Sequence, residues 1–220
     1  MFRKPLRYVK LYVKEVEKEL LKKGVKLECI PSKVVYSKKP APGGAKHKVR
    51  WVICGNYEEK REDEQTYSSG ADATALRILL WLASRFGWLG ISLDIRTAFL
   101  NADVNQEDQP NYILVAPPTV FVKKGCLPVG TLYRPKKAVY GLRRSPRLWG
   151  VCRDGKMRSF EIEVEEGGET IKLQLRQLDS EPNLWRLEKL GSEDENREMN
   201  IKYGLVMTYV DDILIAAPPK

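Results

Sequence analysis

Histidine is nearly absent from this sequence: His47 is the only one. Its four cysteines, Cys29, Cys54, Cys126 and Cys152, show no metal-ligand spacing. A zinc site is therefore not expected, and the cysteines read as scattered reduced thiols of an intracellular protein, cytoplasmic or nuclear. No apolar run approaches the roughly 20 residues of a membrane span. The first thirty residues carry lysine throughout and no small-residue cleavage site, which argues against a secretory signal. No internal repeat is visible.

What is present is 43% hydrophobic and 30% charged residues over 220 positions. That is the balance of a folded chain, long enough for one large domain or two small ones. The net charge of +9 is unevenly placed: residues 1–50 carry +11 and residues 123–158 carry +10, while 51–122 and 159–220 are acidic. Two basic blocks suggest a polyanionic partner, nucleic acid first among them, although a solvated basic surface would look the same.

Val9, Val13, Val16 and Leu20 recur at helical spacing and Gly24 follows, which predicts a helix over 6–23. Leu27 to Tyr36 reads as strand broken by Pro31, residues 39–46 as loop, and Val49 to Cys54 as the returning strand. Residues 57–73 read as polar and irregular. A helix is expected over 74–86, burying Leu76, Leu79, Leu80 and Ala83 and stopping at Gly87. Residues 89–95 alternate as a strand, with Ile91, Leu93 and Ile95 on one face and Ser92 and Asp94 on the other. The chain then reads as helix or turn to about Val104. Residues 117–130 read as loop, a helix is expected near Pro146, and two alternating runs flank Gly167-Gly168 as a hairpin. Residues 191–200 read as a surface loop, and Tyr203 to Ala217 as an apolar run.

Asp211 and Asp212 interrupt that run. Adjacent carboxylates among apolar residues repel one another unless a cation neutralises them. A tight turn between two strands would place them at a sheet end, within reach of a divalent metal; an ordinary polar hairpin turn fits the dipeptide as well. Asp94 ends a second apolar strand. If the strands are neighbours, three carboxylates converge and could hold two magnesium ions about 4 Å apart, as in phosphoryl transfer. Alone, Asp94 reads equally as a helix N-cap.

At these residues the sequence resembles copia-type retrotransposon reverse transcriptases. Leu93-Asp94-Ile95-Arg96-Thr97-Ala98-Phe99-Leu100-Asn101 is similar to their first catalytic motif, and Tyr209-Val210-Asp211-Asp212-Ile213-Leu214-Ile215 to their second. Between them, residues Lys137 to Trp149 resemble the family's Lys-Ala-Leu-Tyr-Gly-Leu-Lys-Gln-Ala-Pro-Arg-Leu-Trp segment. Upstream, Lys48-Val49-Arg50-Trp51-Val52 is similar to Lys-Ala-Arg-Leu-Val. The four motifs keep the family's order over about residues 30–217. Arg144 stands where Gln is usual and Ser145 where Ala is usual.

The resemblance implies an α+β fold, the fingers and palm of a right-hand polymerase, with an antiparallel palm sheet and packed helices. An N-terminal helix would cover 1–24, fingers about 25–70 and 105–150, and an incomplete palm about 71–104 and 151–220. It implies an RNA-directed DNA polymerase using two Mg²⁺ ions, or Mn²⁺, with Asp94, Asp211, Asp212 and the Ile95 carbonyl as metal ligands. Lys38, Arg50, Phe99, Tyr140 and Gly141 would bind the nucleotide, Phe99 as a steric gate against a 2′-hydroxyl and Arg50 by paired hydrogen bonds to the triphosphate. Lys136, Lys137, Arg143, Arg144, Ser145, Pro146 and Arg147 would meet nucleic acid. The implied partners are an RNA template, a DNA primer, deoxynucleoside triphosphates and the other Pol domains, thumb, RNase H and integrase, with no membrane. The chain is expected to stop short of the thumb. The rival expectation is an inactive remnant that keeps at most non-specific nucleic-acid binding.

Overall fold

The computed structural model describes residues 17–60, 66, 68–104, 111–191 and 201–219. The chain divides into two compact units, residues 1–66 with 99–148 and residues 67–98 with 149–220. Most of the helix expected over 6–23, and nearly all of the loop expected over 191–200, lie outside the described residues; residues 17–22 are helical. The fold is α+β. Among the described residues no helix is long and apolar enough to cross a membrane.

The first unit is organised by β1 (Lys26–Ala41), β2 (Gly44–Ile53) and β4 (Asn111–Ala116), in the order β2-β1-β4. β1 is not broken at Pro31, contrary to the sequence expectation. Residues 26–31 pair parallel with β4, and residues 32–41 pair antiparallel with β2. Pro31 sits where the partner changes, so its missing N–H costs little of either ladder. The hairpin also runs further than expected, because Pro42-Gly43 closes it with Gly43 at φ +81°. Proline followed by a positive-φ glycine is the pairing a type II turn demands. Residues 117–130 are not all loop: α2 (Thr119–Lys123) forms one short turn of helix, and a 3-10 turn, Gly55–Tyr57, follows β2.

In the second unit, β3 (Leu89–Asp94), β5 (Glu161–Glu166), β6 (Glu169–Gln177), β7 (Leu184–Lys189), β8 (Leu205–Tyr209) and β9 (Asp212–Ala217) form one antiparallel sheet, ordered β3-β9-β8-β7-β6-β5. Gly167-Gly168 turns β5 into β6, both glycines at positive φ. On one face Leu79 and Leu82 of α1 (Ala73–Phe86) pack with Leu184, Leu205, Met207 and Ala216. On the other, Met157 of α3 (Ser145–Arg158) packs with Trp185 and Val206. Alternate residues of β8 thus feed two different cores. Asp72 caps α1 through the Thr74 N–H, and Gly87, at φ +65°, stops it.

The buried stripe of α1 differs from expectation. Leu79 is buried, but Leu76 and Leu80 are exposed and Leu82 replaces them in the core. The helix carries more apolar positions than one face can bury, since Ile78 and Trp81 are also exposed; the sheet takes the set spaced 75, 79 and 82. Likewise Ile91 and Leu93 lie 56% and 47% exposed, because β3 is the edge strand and the core beneath the sheet stops short of it.

Candidate functional site

The second unit brings together the acidic residues that stand 117 positions apart in sequence. β3 and β9 are neighbours, and their register sets Asp94 directly opposite Asp212. Opposed residues of an antiparallel pair share a face, with roughly 5 Å between Cβ atoms. Asp211 is in the two-residue turn between β8 and β9, where Tyr209 pairs with Asp212. The Ile95 amide donates to the Asp211 carbonyl at 2.8 Å, joining the end of β3 to that turn.

The turn is held from a second side. Val210 adopts φ +53°, a conformation unusual for a β-branched residue. Its carbonyl accepts a hydrogen bond from the Trp149 indole N–H at 2.6 Å, and Trp149 is 3% exposed. A buried donor thus fixes the peptide linking Val210 to Asp211, supplying an outside restraint for the strain. Trp149 was legible only as part of a motif; nothing in its spacing points to Val210. Trp149→Phe keeps an aromatic ring but removes the donor and part of the buried indole. It is expected to cost about 2–3 kcal/mol and to speed hydrogen exchange of residues 209–212, read by mass spectrometry. Unchanged exchange in that segment would show that the bond does not restrain the turn.

The all-oxygen donor set suits a hard divalent cation such as magnesium or manganese. Among the described residues, however, no group of three or more His, Cys, Asp or Glu side chains stands in a metal-holding arrangement. The backbone brings the carboxylates to one end of the sheet, and the side chains are not gathered on a point. For Asp94 and Asp212 gathering needs side-chain rotation rather than strand movement, because the register already opposes them.

The first unit collects Arg50, Phe99 and Tyr140. The Arg50 guanidinium lies 5.8 Å from the Tyr140 ring centroid, and the Phe99 ring meets Tyr140 edge-on at 4.8 Å. Lys38 does not share that setting. Arg50 pairs with Val35, and strand alternation puts Lys38, three residues beyond Val35, on the opposite face of the hairpin. The cations on the Arg50 face are Lys33, Lys39, Lys46 and Lys48.

The segment 139–145 is stitched to the end of β2. Ile53 N–H donates to the Tyr140 carbonyl at 2.8 Å and Gly55 N–H to the Gly141 carbonyl at 3.0 Å. Gly141 has φ +91°, and a Cβ there would stand 1.9 Å from the Ile53 carbonyl oxygen. Ser145 is fully buried; its hydroxyl accepts from the Val139 N–H and donates to the Val139 carbonyl. The Ser145 side chain thus closes a loop inside the protein rather than facing outward. Lys137 forms a salt bridge with Asp103 at 2.6 Å. Lys136 and Arg147 are exposed and Pro146 half-buried, whereas Arg143 and Arg144 are partly covered.

The chain belongs to the reverse transcriptase (RNA-dependent DNA polymerase) family, whose sequence profile matches residues 17–173. Its relatives are copia-type Pol polyproteins of plant transposons. Over 184 residues, 82% of this chain, it is 29% identical to the retrovirus-related Pol polyprotein from transposon RE2 of Arabidopsis thaliana. It is 30% identical over 118 residues, 52% of the chain, to the corresponding polyprotein from transposon TNT 1-94 of Nicotiana tabacum. The matches cover 11% and 8% of those relatives, so the chain spans about a tenth of their length. No solved structure matches.

Proposed function

We propose that this chain carries the fingers and palm of an RNA-directed DNA polymerase, the first unit serving as fingers and the second as palm. The observation that carries the reading is the register that opposes Asp94 and Asp212 with Asp211 in the adjoining turn. Asp94, Asp211, Asp212 and the Ile95 carbonyl would hold two Mg²⁺ ions. Bound there, the ions would lower the pKa of an attacking primer hydroxyl and neutralise the triphosphate. Arg50 would grip the triphosphate, its guanidinium matching phosphate oxygens in pairs. Phe99, braced by Tyr140, would reject a 2′-hydroxyl on the incoming sugar. Lys136, Arg143, Arg144 and Arg147 would contact phosphates along the template and primer. Catalysis would rest on positioning and electrostatics, with no covalent intermediate. In the intact polyprotein, thumb, RNase H and integrase would act beside it.

Primer extension on an RNA template with magnesium tests this. The expected result is template-directed addition of deoxynucleotides to the primer 3′ end, dependent on the divalent ion. Duplex binding with no addition would leave only a nucleic-acid-binding module.

A further inference from the structure

Glu58 reads in the sequence as one acid of a polar stretch, yet its side chain is almost wholly buried, at 6% exposure. A carboxylate leaves water only where something on the protein replaces its hydration. Here part of that replacement is the Arg143 backbone N–H, which donates to Glu58 Oε1 at 2.8 Å across 85 positions of sequence. The same oxygen stands 2.6 Å from where a Cβ on Gly55 would be. Gly55 donates its N–H to Gly141, and the Glu58 N–H returns to the Gly55 carbonyl. Glu58 therefore completes a series of attachments along one face of residues 140–143: Ile53 to Tyr140, Gly55 to Gly141, Glu58 to Arg143.

We propose that Glu58 is a positioning residue for nucleotide selection. By fixing the Arg143 amide it fixes the peptide run that bears Tyr140, and Tyr140 is the surface on which both the Phe99 ring and the Arg50 guanidinium rest. Loss of the Glu58 acceptor frees the 141–143 turn, lets the Tyr140 ring shift, and slackens the brace behind Phe99. The consequence falls on choice of sugar as well as on affinity. Glutamine keeps a carbonyl oxygen at the same reach and preserves the bond; alanine removes it.

This rests on the reading of Arg50, Phe99 and Tyr140 as a nucleotide site, and the test separates the two. The whole chain, with template–primer duplex and magnesium, is equilibrated with labelled deoxyadenosine triphosphate and, separately, with adenosine triphosphate. Glu58→Ala is expected to bind the deoxynucleotide about tenfold more weakly and to narrow the preference over the ribonucleotide severalfold, with a smaller loss of duplex affinity through the displaced Arg143. Glu58→Gln is expected to restore both affinity and preference. A general loss of structure would lower duplex and nucleotide binding alike and leave the sugar preference unaltered, and would overturn the proposal. So would a Glu58→Ala chain that matches wild type, or a Glu58→Gln chain that matches Glu58→Ala. If wild type binds neither nucleotide, the nucleotide-site reading fails and the role of Glu58 falls with it.

Discussion

Gly141→Ala is expected to lower the stability of the first unit by about 3–5 kcal/mol. Three costs combine. Gly141 holds φ +91°, where an L side chain is strained. The new Cβ would stand 1.9 Å from the Ile53 carbonyl oxygen and 2.6 Å from Val52 Cγ1. The Val52 methyl could rotate away, but the Ile53 oxygen belongs to the backbone of β2 and has no rotamer to change. Relief requires the 140–141 peptides to withdraw, which strains the Ile53-to-Tyr140 and Gly55-to-Gly141 hydrogen bonds, each contributing about 1 kcal/mol. Gly125 is the control: φ is +70° and nothing lies within 4 Å of its added Cβ, so Gly125→Ala carries the backbone cost alone. Urea unfolding of both variants reads the difference. Equal midpoints for the two would mean that the close approach of Gly141 to β2 does not exist in solution.

Gly141 also shows where the sequence stops being legible. Local patterns are visible in it: the alternation of residues 89–95, the 3.6-residue spacing of 74–86, the paired glycines at 167 and 168. Each depends on neighbours within one element, and each has its element in the structure. The apolar run of 203–217 with an acid pair inside it resolves into β8, a two-residue turn and β9 because only a turn can bring two carboxylates out of such a run. Register and partner choice are different in kind. Nothing near Asp94 specifies that it faces Asp212, and nothing near Pro31 says that the strand changes partners there. Lys38 and Arg50 could be assigned to one ligand as long as the hairpin length was unknown; once Pro42-Gly43 fixes the register, period-two geometry separates them. Glu58, one acid of a polar stretch, and Trp149, legible only as part of a motif, have roles the sequence does not show, because they act through backbone atoms 85 and 61 positions away. Ser145 is a similar case, since a small hydroxyl in a motif gives no sign that it bonds inward to Val139. β4 and β7 escape the sequence for different reasons: the short apolar run Tyr112 to Ala116 of β4 carries no period to read, and in β7 the charged Arg186, Glu188 and Lys189 are mixed among Leu184, Trp185 and Leu187.

The largest effect on chemistry is expected at the opposed acids, and it carries an opposite sign in stability. Asp94 and Asp212 face one another across the β3–β9 pair, and like charges directly opposite are destabilising. Without a divalent ion, Asp94→Asn should therefore melt at the wild-type temperature or slightly above it, the gain limited to roughly a few tenths of a kcal/mol by solvent screening of exposed groups. With magnesium or manganese the order should reverse. An ion bound to the native state alone raises the melting temperature by mass action, so wild type should gain stability with added ion while Asp94→Asn and Asp212→Asn gain little. Primer extension should fall by about a hundredfold or more in either variant if, as proposed, the lost carboxylate is one that places the ion. The paired measurement distinguishes a metal-dependent role from a structural one. A purely structural aspartate would lower stability at every ion concentration when replaced. Should both Asn variants keep the full wild-type response to added magnesium and manganese, the opposed carboxylates are not metal ligands, and polymerase chemistry cannot be assigned to this end of the sheet.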